Sequence, residues 1–371
     1  MRIALISTPF VATPPRGYGG TELVVADLAD GLVARGHQVT VFGTGDSHTT
    51  ARHEWLYERA QWPPQPAAEL QHSAWALHQI ARAARRGRPY DVVHAHTAPV
   101  LACARLLRPR PVLVYTIHHE RDETLSAFYR AFPRVHYVAI SADQAAREEP
   151  LPRLSVVHHG LSAARYACRP TPQSFACFVG RFAPAKAPHL AIDAAAAAGL
   201  RIRIAGSVHP TDREYGATVV APRLRLPHVE YLGGIGIEQK APLLRDARVT
   251  LVPLQWEEPF GLVMIEAMLS GCPVVAFPRG SAPELIEPGV TGFLVRDVQE
   301  MAELIRIGGP LDRFDRVRCR ARAIERFSRT QMVDGYERVY ARACARAALD
   351  ARRTTRSAGR TRRAPAVGSA A

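Results

Sequence analysis

Glu258 and Glu266 bracket seven residues in the run Glu258-Pro-Phe-Gly-Leu-Val-Met-Ile-Glu266. An ionised carboxylate only accepts hydrogen bonds, and two vicinal sugar hydroxyls can donate to one carboxylate together. Pro259 suits a first helical position, so a helix is expected from there to about Ser270, ending before Gly271 and Pro273. Glu258 then sits at the open end, beside the outward N–H groups of Phe260, Gly261 and Leu262. Glu266 lies two turns on, about 12 Å away, on a helix flank. A ligand laid along this flank meets a carboxylate at each end. The competing reading makes Glu258 a complement to the helix dipole, worth about 0.3–1 kcal/mol. It also makes Glu266 a solvated face residue, against which stand its apolar neighbours Val263, Ile265, Ala267 and Leu269.

A second constellation is cationic. In Gly180-Arg-Phe-Ala-Pro-Ala-Lys186, Arg181 and Lys186 are five apart, between an expected strand and an expected helix. Arg binds phosphate as a fork and Lys as a point charge, so the pair suits a diphosphate beside a helix start. The alternative is two solvated surface cations. Gly19 and Gly20 end a loop that opens a helix, where a bulky anion can approach the backbone. The pattern is not G-x-G-x-x-G, and a plain flexible turn also fits. His118 and His119 follow a strand's carboxyl end, where ligands bind in parallel sheets. Their chemistry does not rank them. His94 and His96 share one strand face, but no third ligand is near in sequence and a metal site is rejected.

These residues need elements to hold them. Strands are expected at 2–7, 38–42, 91–96, 111–116, 135–140 and 155–157, with helices near 21–35, 67–86 and 99–107. Periodicity fails from about Gly160 to Ser174, where Pro170 and Pro172 mark a linker. Strands then restart at 175–179, 201–205, 228–232, 249–253 and 273–277, with helices at 189–198 and 238–247. Gly280-Ser-Ala-Pro-Glu284 is a donor-rich loop or a helix cap. Val290–Val295 is an edge strand or hairpin, and helices fill 298–307, 312–327 and 331–349. The expected organisation is an α/β chain of two doubly wound parallel-sheet domains, at 1–165 and 166–330. A C-terminal helix follows at 331–350, then a disordered basic tail at 351–371.

At 371 residues, 47% hydrophobic and 22% charged, the chain is globular and large enough for two cores. Its formal charge is +14, and six Arg after Ala351 stand with no acid. Such a charge suits phosphorylated metabolites, anionic lipid or nucleic acid, but no nucleic-acid motif accompanies it, and an Arg- and Ala-rich composition explains it as well. The six cysteines lack metal spacing and read as reduced, structural thiols of a cytosolic protein. The apolar start of the chain is too short for a signal peptide and reads as a first strand. No run is long enough to span a bilayer, which leaves peripheral contact with an anionic inner membrane face open.

Together the motifs resemble the retaining glycosyltransferases of family four, with the GT-B fold, over nearly the whole chain to about residue 345. Glu258-Pro-Phe-Gly-Leu with Glu266-Ala-Met is similar to the family's E-x7-E element, and Gly271-Cys-Pro-Val-Val-Ala276 and Gly289-Val-Thr-Gly-Phe-Leu294 continue it. Gly180-Arg-Phe with Lys186 resembles its phosphate loop, and Gly19-Gly-Thr-Glu22 its N-terminal donor loop. The resemblance implies that Glu258 contacts the donor sugar, aided by N–H groups of Phe260 and Gly261, and that Glu266 contacts the ribose. It implies that Arg181 and Lys186 hold the diphosphate, that Gly20 approaches it from the other domain, and that His118 meets the donor sugar. It further implies a crossing C-terminal helix, a UDP- or GDP-linked sugar as co-substrate, no cofactor or metal, and a glycan, glycolipid or small-metabolite acceptor. The chain departs from the family's Asn-Gly-Ile-Asp after the first domain, with His159-Gly-Leu-Ser162. Two rival readings are a non-transferring enzyme of the same fold, such as an epimerase or phosphorylase, and a polyanion-binding protein.

Overall fold

The computed structural model describes residues 1–104, 107 and 110–361, with side chains described through residue 350. Two parallel sheets form, each around central short apolar strands buried on both faces. The first uses β1 (Arg2–Ile6), β2 (Gln38–Gly43), β3 (Arg52–Trp55), β4 (Val92–Ala95), β5 (Val112–Thr116), β6 (His136–Ala139) and β7 (Leu154–Val156). Its order is β3-β2-β1-β4-β5-β6-β7. The second uses β8 (Phe175–Val179), β9 (Arg201–Ala205), β10 (Val229–Tyr231), β11 (Val249–Val252), β12 (Val274–Ala276) and β13 (Gly292–Leu294), ordered β10-β9-β8-β11-β12-β13. Strand order reverses between β1 and β4 and again between β8 and β11. Loops leaving the carboxyl ends there form the crevices that parallel sheets use for ligands. The expected architecture of two doubly wound sheets is present.

Polar β3 lacks a hydrophobic signature, which is why periodicity misses it. The helix expected at 99–107 forms over Pro99–Cys103, and residues 105 and 106 lie outside the described residues. Val290–Val295 supplies β13, a parallel edge strand rather than a hairpin.

The chain crosses between the sheets twice, side by side. The Leu161 amide donates to the Phe327 carbonyl, and the Arg329 amide donates to the Leu161 carbonyl. The last helix, Arg329–Thr361, then packs on the first domain, with Val333, Tyr336, Val339 and Tyr340 buried against the Gly20–Ala34 helix and β5. It therefore starts two residues before the expected boundary. It also runs eleven residues into the tail expected to be disordered. Residues 362–371 lie outside the described residues.

Buried Asp27, on the Gly20–Ala34 helix, is clasped by Arg165 from the outward crossing and Arg329 from the return at 2.6 Å. Much of the arginine excess is spent similarly. Arg316 donates to the carbonyls of Arg169, Ala247 and Arg245 at 2.6–2.8 Å, and Arg326 to those of Glu284 and Leu285. These guanidinium groups close helix and loop ends, as cations near orphan carbonyls do. The six cysteines are free thiols. Among the described residues, no helix is long and apolar enough to cross a membrane.

Candidate active site

The Glu258 loop departs from expectation in one respect. Its helix is shorter, Leu262–Leu269, because Gly261 caps it in the left-handed region at φ 81°. Glu258, Pro259 and Phe260 precede the helix instead of opening it, so the two acids are not joined by continuous helix. Phe260 is buried and fixes the loop in the core. Ser281 closes the other side: its amide donates to the Glu258 carbonyl at 2.9 Å and its hydroxyl to the Phe260 carbonyl at 2.7 Å. Gly280 sits against this backbone at φ 54°, and a Cβ there would stand 2.3 Å from the Glu258 nitrogen. The loop 280–284 therefore braces Glu258.

The Glu258 carboxylate receives the Lys186 ammonium, and Trp256 Nε1 donates to the same oxygen at 3.1 Å. Lys186 also lies over the Trp256 ring, 4.7 Å from its centroid, a cation–π contact. The backbone is bent to deliver this lysine. Ala187, next in the chain and fully buried, is a non-glycine residue at φ 48°, ψ 53°, before Pro188 opens the Pro188–Ala197 helix. Such a conformation costs on the order of 1–3 kcal/mol and clusters at functional sites.

Arg181 stands on the same loop. Its Nε lies 3.9 Å from Asp212 Oδ2, and neither buried atom has a hydrogen-bond partner. The guanidinium is held by charge without being engaged, which leaves its fork for a phosphate. Tyr18 faces this group from the other domain. Tyr18 is 73% exposed, and Arg181, Glu258 and Glu22 stand close enough for their charges to act on its phenol. Arg181, Glu258, Glu22 and Tyr18 thus lie near one another where the domains meet. Gly20 meets the far wall, where a Cβ would stand 3.1 Å from Leu262 Cδ1. Burial raises the Glu22 pKa, opposed by the Thr8 hydroxyl that donates to it.

Glu266 lies on the flank of the Leu262–Leu269 helix and is not the solvated face residue of the competing reading. It is 2% exposed, accepts from the Tyr166 hydroxyl at 2.9 Å and pairs with Lys240 at 2.5 Å, all at Oε1. The short helix turns this flank toward Tyr166 of the linker, and the acid is buried there with two partners.

His118 lies at the end of β5, half-buried, with its Nε2 2.8 Å from His96 Nδ1. Desolvation lowers its pKa to about 3, so its ring is neutral at physiological pH. His119 instead contacts the Tyr129 hydroxyl at 2.6 Å and the Glu120 carbonyl. His94 spends both nitrogens at 2.8 Å, on Tyr340 and Thr116. Sequence reasoning missed Trp256, Asp212, Tyr18, Tyr166 and Lys240, and met His159 only as a departure from the family's pattern. Trp256, two residues before Glu258, carried the one available signal.

Across the crevice Glu284 reaches the first domain. It accepts from the amides of Ala142 and Asp143 at 2.8–3.2 Å, at the start of the Ala142–Arg147 helix, and contacts His158 at 2.5 Å. Burial alone would raise its pKa, but His158 and the two amides outweigh that and hold it below the usual glutamate value.

Comparison with known proteins places both halves. Residues 18–165 match the model described as Glycosyltransferase Family 4, and residues 173–307 the model described as Glycosyl transferases group 1. A D-inositol 3-phosphate glycosyltransferase of Mycolicibacterium smegmatis is 35% identical over 210 residues, covering 52% of this chain and 48% of the relative. The chain spans about half the length of the curated relatives it matches. The crystal structure of AviGT4, a glycosyltransferase involved in avilamycin A biosynthesis, superimposes with a TM-score of 0.74 at 25% identity, covering 93% of this chain and 98% of that one. HepE of Anabaena in complex with UDP and glucose gives 0.70 at 21% identity, covering 92% and 99%. The two facing sheets are those of the GT-B fold.

Proposed function

Because the chain belongs to the group 1, family-four glycosyltransferases, we propose that it moves a hexose from a UDP- or GDP-linked sugar to an acceptor hydroxyl, with retention at the anomeric carbon. The observation that carries this reading is the union of Arg181, Lys186 and Glu258 in one crevice, faced by Gly20 and Tyr18 of the other domain. The diphosphate lies against Arg181, Lys186 and the start of the Pro188–Ala197 helix. The hexose lies over the Glu258 loop, which grips its hydroxyls, and His118 approaches from the opposite wall. Glu266 acts on the ribose side, directly or through Tyr166 and Lys240.

In the transfer, the bond from the anomeric carbon to the phosphate oxygen breaks and the bond to the acceptor oxygen forms on the same face. The acceptor proton passes to the leaving phosphate oxygen, so no carboxylate base is needed. Negative charge grows on the diphosphate and meets two cations already in position. We therefore read the reaction as metal-independent, with the co-substrate supplying everything beyond the chain. Neutral His118 fits this scheme as a hydrogen-bonding partner of the sugar. The acceptor is a glycan, glycolipid or small metabolite, met inside the cell, with contact to an anionic membrane face allowed by the charge.

Screening nucleotide sugars by thermal unfolding tests the donor assignment. A true donor at a hundred times its Kd adds about 2.7 kcal/mol to stability. UDP-glucose or GDP-mannose is expected to raise the melting temperature and free UMP or GMP far less, since the second phosphate reaches the cations. Equal effects of mono- and diphosphates would count against this reading.

A further inference from the structure

His159 occupies the point where the chain leaves the first domain, one residue before Gly160 and two before the Leu161 crossing. It is 3% exposed. One face stacks on His118, with ring centroids 5.3 Å apart and planes 20° from parallel. Its edge meets Phe260 at 4.9 Å and 67°. Phe260 is the buried anchor of the Glu258 loop in the second domain. His159 is thus the ring between a wall residue of one domain and the loop that grips the sugar in the other. Beyond His118 the column continues: His96 binds His118 at 2.8 Å, and the His94 ring lies 4.2 Å from His96 and hydrogen-bonds Tyr340 of the returning helix.

We infer that His159 is a positioning residue for the transfer: clamped between His118 and Phe260, it sets the His118 ring according to how closely the two domains approach. This rests on the glycosyltransferase reading above. Aromatic pairs of this geometry attract beyond the area they bury, enough to bias a ring orientation. Hinge positions that absorb domain motion commonly change turnover from outside the reacting atoms. The buried Nδ1 of His159 has no hydrogen-bond partner, so the ring is held by its face and edge and not by that nitrogen. A phenyl ring should therefore substitute for it better than any aliphatic side chain.

The test has two readouts. On UDP-glucose or GDP-mannose, whichever is turned over, His159→Ala should lower kcat about tenfold with the donor KM within about twofold, and His159→Phe should restore most of the loss. Equal rates for the Ala and Phe variants, or a loss confined to KM, would overturn the inference. The second readout needs no activity. In ring-carbon NMR spectra, Phe260→Leu should displace the His118 signals when His159 is present and leave them in place in the His159→Ala background. His159→Leu replaces the alanine variant should the latter fail to fold. If the wild type turns over neither donor, the transfer reading fails, and the NMR cycle still decides whether His159 couples the two domains. Displacement of His118 of equal size in both backgrounds would overturn the coupling.

Discussion

Glu258→Ala is expected to lower kcat about a hundredfold, the equivalent of roughly 3 kcal/mol from a charged hydrogen bond realised in the transition state. The carboxylate is 8% exposed and receives two donors, Lys186 and Trp256 Nε1. Removing it does two things. The sugar loses its acceptor, and Lys186 loses the counter-charge that holds it over Trp256. Affinity for UDP or GDP should change little, because neither carries the sugar that Glu258 grips. Glu258→Gln separates the two effects: it keeps an acceptor for Trp256 Nε1 while removing the charge, and its activity should fall between alanine and wild type. Steady-state kinetics with the donor found by screening reads both variants. Wild-type turnover in Glu258→Ala would reject the role.

Asp27→Ala should cost about 3 kcal/mol of stability. Its carboxylate is fully buried, and Arg165 and Arg329 converge on it from the two interdomain crossings. Breaking a buried pair by removing one partner costs about 3–5 kcal/mol. The low end applies because both arginines keep about a quarter of their side chains in solvent. The loss should appear in denaturant unfolding as a lower midpoint, together with looser packing of the last helix on the first domain. Replacing Asp27 with leucine and both arginines with methionine should recover a large part, since the uncompensated charges are gone. A parent-like midpoint for Asp27→Ala would show that hydrophobic packing of Val333, Tyr336 and Tyr340 alone holds the crossing.

How far the sequence reaches depends on how local each signal is. Strands β1, β4, β8, β11 and β12 are continuous apolar runs between turn residues, and burial on both faces makes such runs legible. Polar β3 is held by pairing with β2, a contact that no local pattern encodes. The helix after Glu258 was misplaced for a specific reason. Pro259 satisfies the rule for a helix start, yet Gly261 takes the left-handed conformation and Phe260 is drawn into the core. Tertiary burial overrides the local rule.

The same distinction divides the site. The placement of Arg181, Lys186 and Glu258 is readable because each lies in a loop that follows a legible apolar strand, β8 or β11. Trp256, Asp212 and Tyr18 matter through pairings 31 to 240 residues apart in the chain or across the crevice, and spacing says nothing of those. Glu266 shows the converse. Its apolar neighbours argue correctly for a constrained acid, but Tyr166 and Lys240, which constrain it, come from the linker and a separate helix. Arginine content is similarly ambiguous in sequence. Arg316 and Arg326 are helix-end and loop-end donors in the folded chain, so the net charge overstates what is offered to a partner.

The most direct test follows transfer from an α-linked nucleotide sugar by proton NMR, reading the anomeric coupling of the product as nucleotide is released. The account predicts nucleoside diphosphate release that depends on acceptor, one product per nucleotide, and an α-linked product. A β-linked product, or nucleotide release at the same rate without acceptor, would contradict it.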